Sequence, residues 1–287
     1  MDNGIGNNYR PRWQKVLYKD QGVPDNYVDE SFLGELKRKE TTYELWHVVR
    51  ESGVVTQQIS SICIFVVLFV YMQQELLSPV NLLYLNAGLS LIGYILYDVI
   101  DGGQDRRESG RSRLDDVKST AIFVAFSYGL SPILKTLTDT ISTDTIYAMT
   151  VFMLLGNLLF HDYVTTETRG RRPVSLCASI FASVCLASRL PTTLHAFATV
   201  TVAMQLFALW PELRRKLKVC IPRSQTPLTL LSVIVAFLAL VTVSHIAAII
   251  IVFIDLAITF LVPVCLIRLQ LFKKNIHGPW DEAVIQH

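Results

Sequence analysis

The chain has 287 residues, of which 51% are hydrophobic and only 17% charged, whereas an ordinary soluble domain carries about a quarter charged. Its net charge of +2 says little, because the charges collect in short blocks between long apolar runs, a pattern that no water-soluble core needs. Composition therefore excludes an ordinary soluble protein, gives no sign of a nucleic-acid partner, and places the chain among membrane proteins.

The first fifty residues are polar, mixed in charge and without an apolar core, so a cleaved signal peptide is not expected and the first apolar run serves as the insertion signal. Within this segment Phe32, Leu33 and Leu36 repeat at helical spacing, and Tyr43 and Trp46 stand where interfacial aromatics lie, which predicts a helix on the membrane surface. A spanning helix needs roughly 20 apolar residues. Eight runs approach that length: 54–72, 80–99, 117–134, 145–160, 174–188, 194–210, 228–244 and 246–267. The fifth is the weakest, being short and ending in Arg189-Leu190-Pro191. The last two form one apolar stretch that is too long for a single crossing and suits a tight hairpin broken near His245.

Insertion holds basic loops on the cytosolic side. Of the 26 Lys and Arg, all but Lys135 and Arg189 fall in the N-terminal segment, in the loops after the second, fourth and sixth runs, or in the tail. An even number of crossings with this alternation predicts both termini in the cytosol. The fold expected is all-α, a polytopic transmembrane helical bundle of about eight spans. Residues 1–52 would form a cytosolic N-terminal segment with an interfacial helix, 53–267 the bundle, and 268–287 a cytosolic tail. None of the extramembrane pieces is long enough to be a self-sufficient soluble domain.

Candidate chemistry is sparse. Asp98, Asp101, Gly102 and Arg106 match the first half of the D-x2-D-G-x2-A-R motif of CDP-alcohol phosphotransferases, in which carboxylates one helical turn apart bind metal ions and a pyrophosphate. Asp105 replaces the alanine, and the positions for the remaining Gly, Asp and Asp hold Asp115, Ser119 and Phe123. The competing reading is a capped helix end followed by a solvated basic loop. Asp162 and His245 fall near span ends, where water reaches them. Asp255 falls near mid-span and should face other helices, either in a structural hydrogen bond or in a ligand or proton role. The basic stretches 106–118 and 214–223 could attract anionic headgroups, although topology alone demands positive charge there. Cys63, Cys177, Cys185, Cys220 and Cys265 lie in or beside apolar runs without metal or redox spacing and read as small hydrophobes. No metal site and no cofactor is expected.

The sequence resembles the PIG-C family, the C subunits of phosphatidylinositol N-acetylglucosaminyltransferase. The matching blocks are WQKVLY at 13–18, PDNYVD at 24–29, IGY at 92–94 leading to DGG at 101–103, and STDTIYAM at 142–149. They continue with FASVCLASRLP at 181–191, FALWP at 207–211, IRLQLFK at 267–273 and NIHGPWDEA at 275–283. Departures lie in the first dozen residues, in 164–175 and in the last two spans. The resemblance implies the first step of glycosylphosphatidylinositol anchor synthesis, transfer of N-acetylglucosamine from UDP-GlcNAc to phosphatidylinositol on the cytosolic face of the endoplasmic reticulum. It also implies that the transferring residues belong to the PIG-A subunit. The other partners implied are PIG-H, PIG-P, PIG-Q, PIG-Y and a dolichol-phosphate-mannose synthase regulatory subunit.

The expected role is a non-catalytic scaffold that helps present the lipid acceptor. Asp98, Asp101 and Asp255 are its candidate lipid-binding residues. Trp13, Tyr27, His277, Trp280 and Asp281 are its candidate partner contacts, Trp280 foremost, because an aromatic after Gly278-Pro279 can fill a partner's pocket. The rivals are a self-sufficient CDP-alcohol-type phosphotransferase using Asp98 and Asp101, and a transporter or scramblase. The latter is disfavoured by the few mid-membrane ionisable residues and by the lack of a repeat between the halves.

Overall fold

Apolar runs must satisfy their own backbone hydrogen bonds in lipid, and helices do so within a single segment. The structure, a computed structural model, describes residues 37–38, 44–101, 112–136, 140–163, 172–270 and 276–277. Its first five helices are α1 (Leu45–Gln73), α2 (Pro79–Asp101), α3 (Arg113–Thr136), α4 (Thr143–Phe160) and α5 (Arg172–Ala187). Then α6 (Thr193–Met204), a π turn (Gln205–Leu209) and α7 (Trp210–Cys220) join into one rod. After a short 3-10 turn (Pro222–Ser224) comes α8 (Gln225–Val243). The last rod is α9 (His245–Leu256), a second π turn (Ala257–Leu261) and α10 (Val262–Gln270). Seven of these rods are long and apolar enough to cross a membrane, and α5 is a shorter apolar eighth. Every predicted span is a helix.

Local residue chemistry explains the boundaries. The chain turns between α8 and α9 at Ser244, whose extended backbone breaks the helix and whose hydroxyl accepts from Ala247 N at 3.3 Å. Ser142 and Thr192 cap α4 and α6 in the same way. Both π turns end two residues before a proline, Pro211 or Pro263. A proline ring displaces the i−4 carbonyl and lacks the donor, so a widened turn lets each rod continue past it.

The bundle is inverted relative to a soluble protein. Large apolar side chains such as Tyr84, Phe152, Leu159 and Ile246 are exposed, as a lipid-facing surface requires. Polar residues lie inside: Thr56, Gln57, Gln58, Ser60 and Ser61 of α1 are all buried. α1 is the central pillar, packing on α8, α4, α6 and the second π turn. Its close approach to α8 depends on Gly53, where an added Cβ would stand 3.0 Å from Thr229 Oγ1. The apolar core runs through Phe65, Phe69, Leu154, Ala182, Leu186 and Val202, with Phe65 and Phe207 edge to face at 5.4 Å.

The weak fifth run is one of the most buried helices. Ser175, Ser179, Ala182 and Ser183 are all enclosed. These serines lower the hydropathy of the run, yet Ser179 and Ser183 donate to the carbonyls of Leu176 and Ile180 three residues back, at 2.8 and 2.6 Å. That leaves a narrow face against which α4 packs, Gly156 facing Ala178, as small-residue interfaces do in lipid.

The chain divides into two compact units, Glu44–Cys265 and the pair Met1–Tyr43 with Leu266–His287. In the second, β1 (Lys37–Arg38) pairs antiparallel with β2 (Ile276–His277), Lys37 opposite His277. Of the expected interfacial helix, Phe32, Leu33, Leu36 and Tyr43 lie outside the described residues. Trp46 belongs to the first turn of α1, which begins well before residue 54, and is 74% exposed.

Candidate functional site

A polar network crosses the basic end of the bundle, and its residues come from five helices. Arg214 of α7 donates from Nη1 to Gln57 Oε1 at 3.2 Å and from Nη2 to Gln58 Oε1 at 2.9 Å. Gln58 Nε2 donates to Asn157 Oδ1 at 2.8 Å, and Asn157 Nδ2 donates to the carbonyl and the hydroxyl of Ser175, both at 2.9 Å. Gln57 Nε2 donates to Thr229 Oγ1 at 2.6 Å, and Gln225 Nε2 reaches the Arg50 carbonyl at 3.0 Å. Buried polar groups without partners are costly, so the network fixes the mutual register of α1, α4, α5, α7 and α8.

Beside it a cleft opens among Gln57, Asp162, Tyr163, Arg214, Lys218 and Gln225, with Arg215 and Ser224 also on its wall. Lys218 pairs with Glu51 at 2.5 Å and Arg215 with Glu212 at 3.5 Å. Tyr163 donates to the Leu158 carbonyl at 2.5 Å. Burial pushes its phenol well above the ordinary range, against the opposing pull of the Arg214 charge, so it stays protonated and keeps that bond. Arg214 itself is 6% exposed, lies 5.9 Å from the Trp210 ring, and leaves Nε without a hydrogen-bond partner.

These observations correct one expectation. The stretch 214–223 reads in the sequence as a basic loop, whereas residues 214–220 continue the α7 helix and Arg214 is buried. The π turn before Pro211 carries the rod past the point where the apolar run ends. In the sequence the only signal is the pair Gln57-Gln58, two amides in an apolar run that demand a buried partner. Asp162 likewise is 8% exposed rather than open to water.

The residues singled out in the sequence do not converge on one site. Asp98 Oδ2 accepts from Arg113 Nη2 at 2.9 Å, closing the α2–α3 hairpin, where Tyr94 also donates to Asp116 at 3.2 Å. Asp101 is the last residue of α2. Asp255 lies in α9, 8% exposed, with Oδ1 unbonded among the described residues. One turn further on, Thr259 Oγ1 lies 3.5 Å from Thr56 Oγ1. Asp255 therefore faces the bundle as expected, but in the hairpin of α8 and α9 against α1. His277 is placed by its backbone in β2. Trp13, Tyr27, Trp280 and Asp281 lie outside the described residues. Among the described residues no group of three His, Cys, Asp or Glu side chains could hold a metal ion.

At the opposite end the two remaining basic residues act as staples. Lys135 Nζ donates to the Pro191 carbonyl at 2.5 Å and Arg189 Nη2 to the Ile141 carbonyl at 2.7 Å.

The family model described as phosphatidylinositol N-acetylglucosaminyltransferase (GPI2) matches residues 13–281. The chain is 53% identical over 284 residues to the human C subunit of phosphatidylinositol N-acetylglucosaminyltransferase, covering 98% of this chain and 96% of that one. It is 38% identical to a putative C subunit of the same transferase in Dictyostelium discoideum, over 96% and 80% of the two chains. Against the GPI2 subunit of Schizosaccharomyces pombe it is 35% identical, over 95% and 86%. No solved structure matches.

Proposed function

The chain belongs to the GPI2 family, the C subunits of phosphatidylinositol N-acetylglucosaminyltransferase, and from that premise we propose that it is the membrane-embedded, non-catalytic subunit of the complex that transfers N-acetylglucosamine from UDP-GlcNAc to phosphatidylinositol. It works as a scaffold that holds the catalytic subunit at the lipid surface and helps to present the acceptor. The observation that carries this reading is the allocation of the chain: between Leu45 and Gln270 it is almost wholly spanning helix, and the longest connections are residues 102–112 and 161–171. Such connections cannot form a nucleotide-sugar domain. The transferring residues therefore belong to another subunit, which the family resemblance identifies as PIG-A.

The contribution to rate is positional, because fixing an acceptor headgroup beside a donor site removes entropic barrier without a chemical group. The complex resides in the endoplasmic reticulum with both termini of this chain cytosolic, the side favoured by the basic loops. The assembly also takes in PIG-H, PIG-P, PIG-Q, PIG-Y and the regulatory subunit of dolichol-phosphate-mannose synthase, and Trp13, Tyr27, His277, Trp280 and Asp281 are candidate contacts to them. The CDP-alcohol phosphotransferase alternative is not favoured, since the family is that of the transferase and Asp98 is engaged by Arg113.

The test is to purify the chain from detergent with and without its partners and to assay sugar transfer to phosphatidylinositol. Activity is expected only in the assembled preparation, and Trp280→Ala is expected to remain inserted while recovering fewer partners. Turnover by the isolated chain would overturn the proposal.

A further inference from the structure

The cleft beside the polar network holds a buried cation to which, among the described residues, no carboxylate is bonded. Arg214 is more than nine-tenths buried, yet its bonded partners are the neutral amide oxygens of Gln57 and Gln58. Of the carboxylates nearby, Glu51 holds Lys218 and Glu212 holds Arg215, and Asp162 stands on the cleft wall with no hydrogen bond to Arg214. Removing a guanidinium from water without a counter-charge is costly, and such a group is retained where an anion completes it. Both terminal nitrogens are held by amides, so the side chain is oriented in advance, while the enclosed Nε has no partner among the described residues. Gln58 is in turn held by Asn157, and Asn157 by Ser175.

Depth and surroundings narrow the anion. The cleft is lined by Val54 and Gln57, where the apolar stretch of α1 begins, and by Ser224 and Gln225, where α8 begins. That level, where polar helix ends meet the apolar spans, is where lipid headgroups are expected. Arg215 and Lys218 on the wall are each paired with a carboxylate, so the charge that selects the ligand is that of Arg214. Arginine forks match phosphate oxygens in geometry as well as charge.

We infer that this cleft binds the phosphate of an anionic phospholipid headgroup, with Arg214 as its principal donor and Gln57, Gln58 and Asn157 as positioning residues. The inference deepens the proposed function and rests on it for the identity of the lipid, phosphatidylinositol. A free phosphate ion or the diphosphate of a sugar nucleotide would offer the same acceptor chemistry, so the experiment separates the three.

The assembled complex is purified and reconstituted in nanodiscs of phosphatidylcholine containing a minority of phosphatidylinositol. Retained lipid is identified by native mass spectrometry, and initial rates are measured against each substrate. The wild type is expected to retain phosphatidylinositol in preference to phosphatidylcholine. Arg214→Gln should lower that retention and raise KM for phosphatidylinositol by about tenfold each, the scale of one lost charge-assisted hydrogen bond. KM for UDP-GlcNAc and the recovery of partners should stay at wild-type values. Ser224→Trp, which crowds the cleft mouth without touching the buried network, should give the same signature and keeps the test decisive if Arg214→Gln does not assemble.

The inference is overturned by a wild type that shows no lipid preference, by a Ser224→Trp complex with unchanged lipid retention and KM, by a rise in KM confined to UDP-GlcNAc, or by equal displacement with inorganic phosphate. Each of those results leaves the scaffold reading standing if the complex still assembles and turns over. A chain that recovers no transferase partners would sink that reading instead, and its lipid retention could still be read.

Discussion

Asp98 and Arg214 lie on neighbouring helices and have opposite fates. The Asp98 carboxylate is partly open to solvent and is met by an Arg113 side chain that is 72% exposed. An exposed pair of this kind contributes at most about 1 kcal/mol, and its place across the α2–α3 connection makes it a clasp. Asp98→Asn combined with Asp101→Asn should therefore leave at least half of the transferase activity in a normally assembled complex. Complete inactivity of that assembled variant would bring back the phosphotransferase reading. Half of this was legible from the chain alone: the carboxylates stood out by their motif spacing, but Arg113 is joined to Asp98 only when the hairpin closes. Arg214 was illegible for the converse reason. In a run of Arg214, Arg215, Lys216 and Lys218 nothing local distinguishes the buried cation from its solvated neighbours, because burial is decided by Gln57 and Gln58, distant in sequence.

At the scale of elements, the tightest approach is that of α1 to α8. Gly53 is buried, and its missing side chain makes room for Thr229, whose hydroxyl accepts from Gln57. Gly53→Val should force the helices apart and cost roughly 1–3 kcal/mol, the usual penalty for overpacking. A lowered thermal midpoint of the detergent-solubilised complex would report it, and an unchanged midpoint would show that α8 yields freely. Gly53→Ala should fall between the two. The same principle explains why hydropathy undervalued α5: a helix enclosed by others tolerates serine and alanine, because their hydroxyls return to its own backbone and their size permits close packing. The eight spans were readable as apolar runs. The extension of α1 to Leu45 and the run of α7 beyond Trp210 were not, since both carry charged residues whose partners come from other helices.

Taken whole, the described basic residues Arg113, Arg214, Arg215 and Lys218 lie at one end of the bundle and Lys135 and Arg189 at the other. The network of Arg214, Gln57, Gln58, Asn157 and Ser175 joins the N-terminal half of α1 and the start of α5 to the C-terminal end of α4 and to α7. Single cysteines introduced into a background lacking the native ones check the orientation in sealed microsomes. Ser112→Cys should react with a membrane-impermeant maleimide from outside, and Glu75→Cys only after permeabilisation. The reverse pattern would place the basic end in the lumen. By itself the sequence determined the seven to eight apolar helices, their limits to within a turn or two at most ends, and the family, because hydrophobic length acts locally and long matching blocks need no fold to be read. Only the tertiary structure decided which polar groups meet, that α1 and α5 are interior, and that a buried arginine is bonded, among the described residues, to neutral amides alone. Those facts depend on side chains brought together by helix packing, and no periodicity along the chain records them.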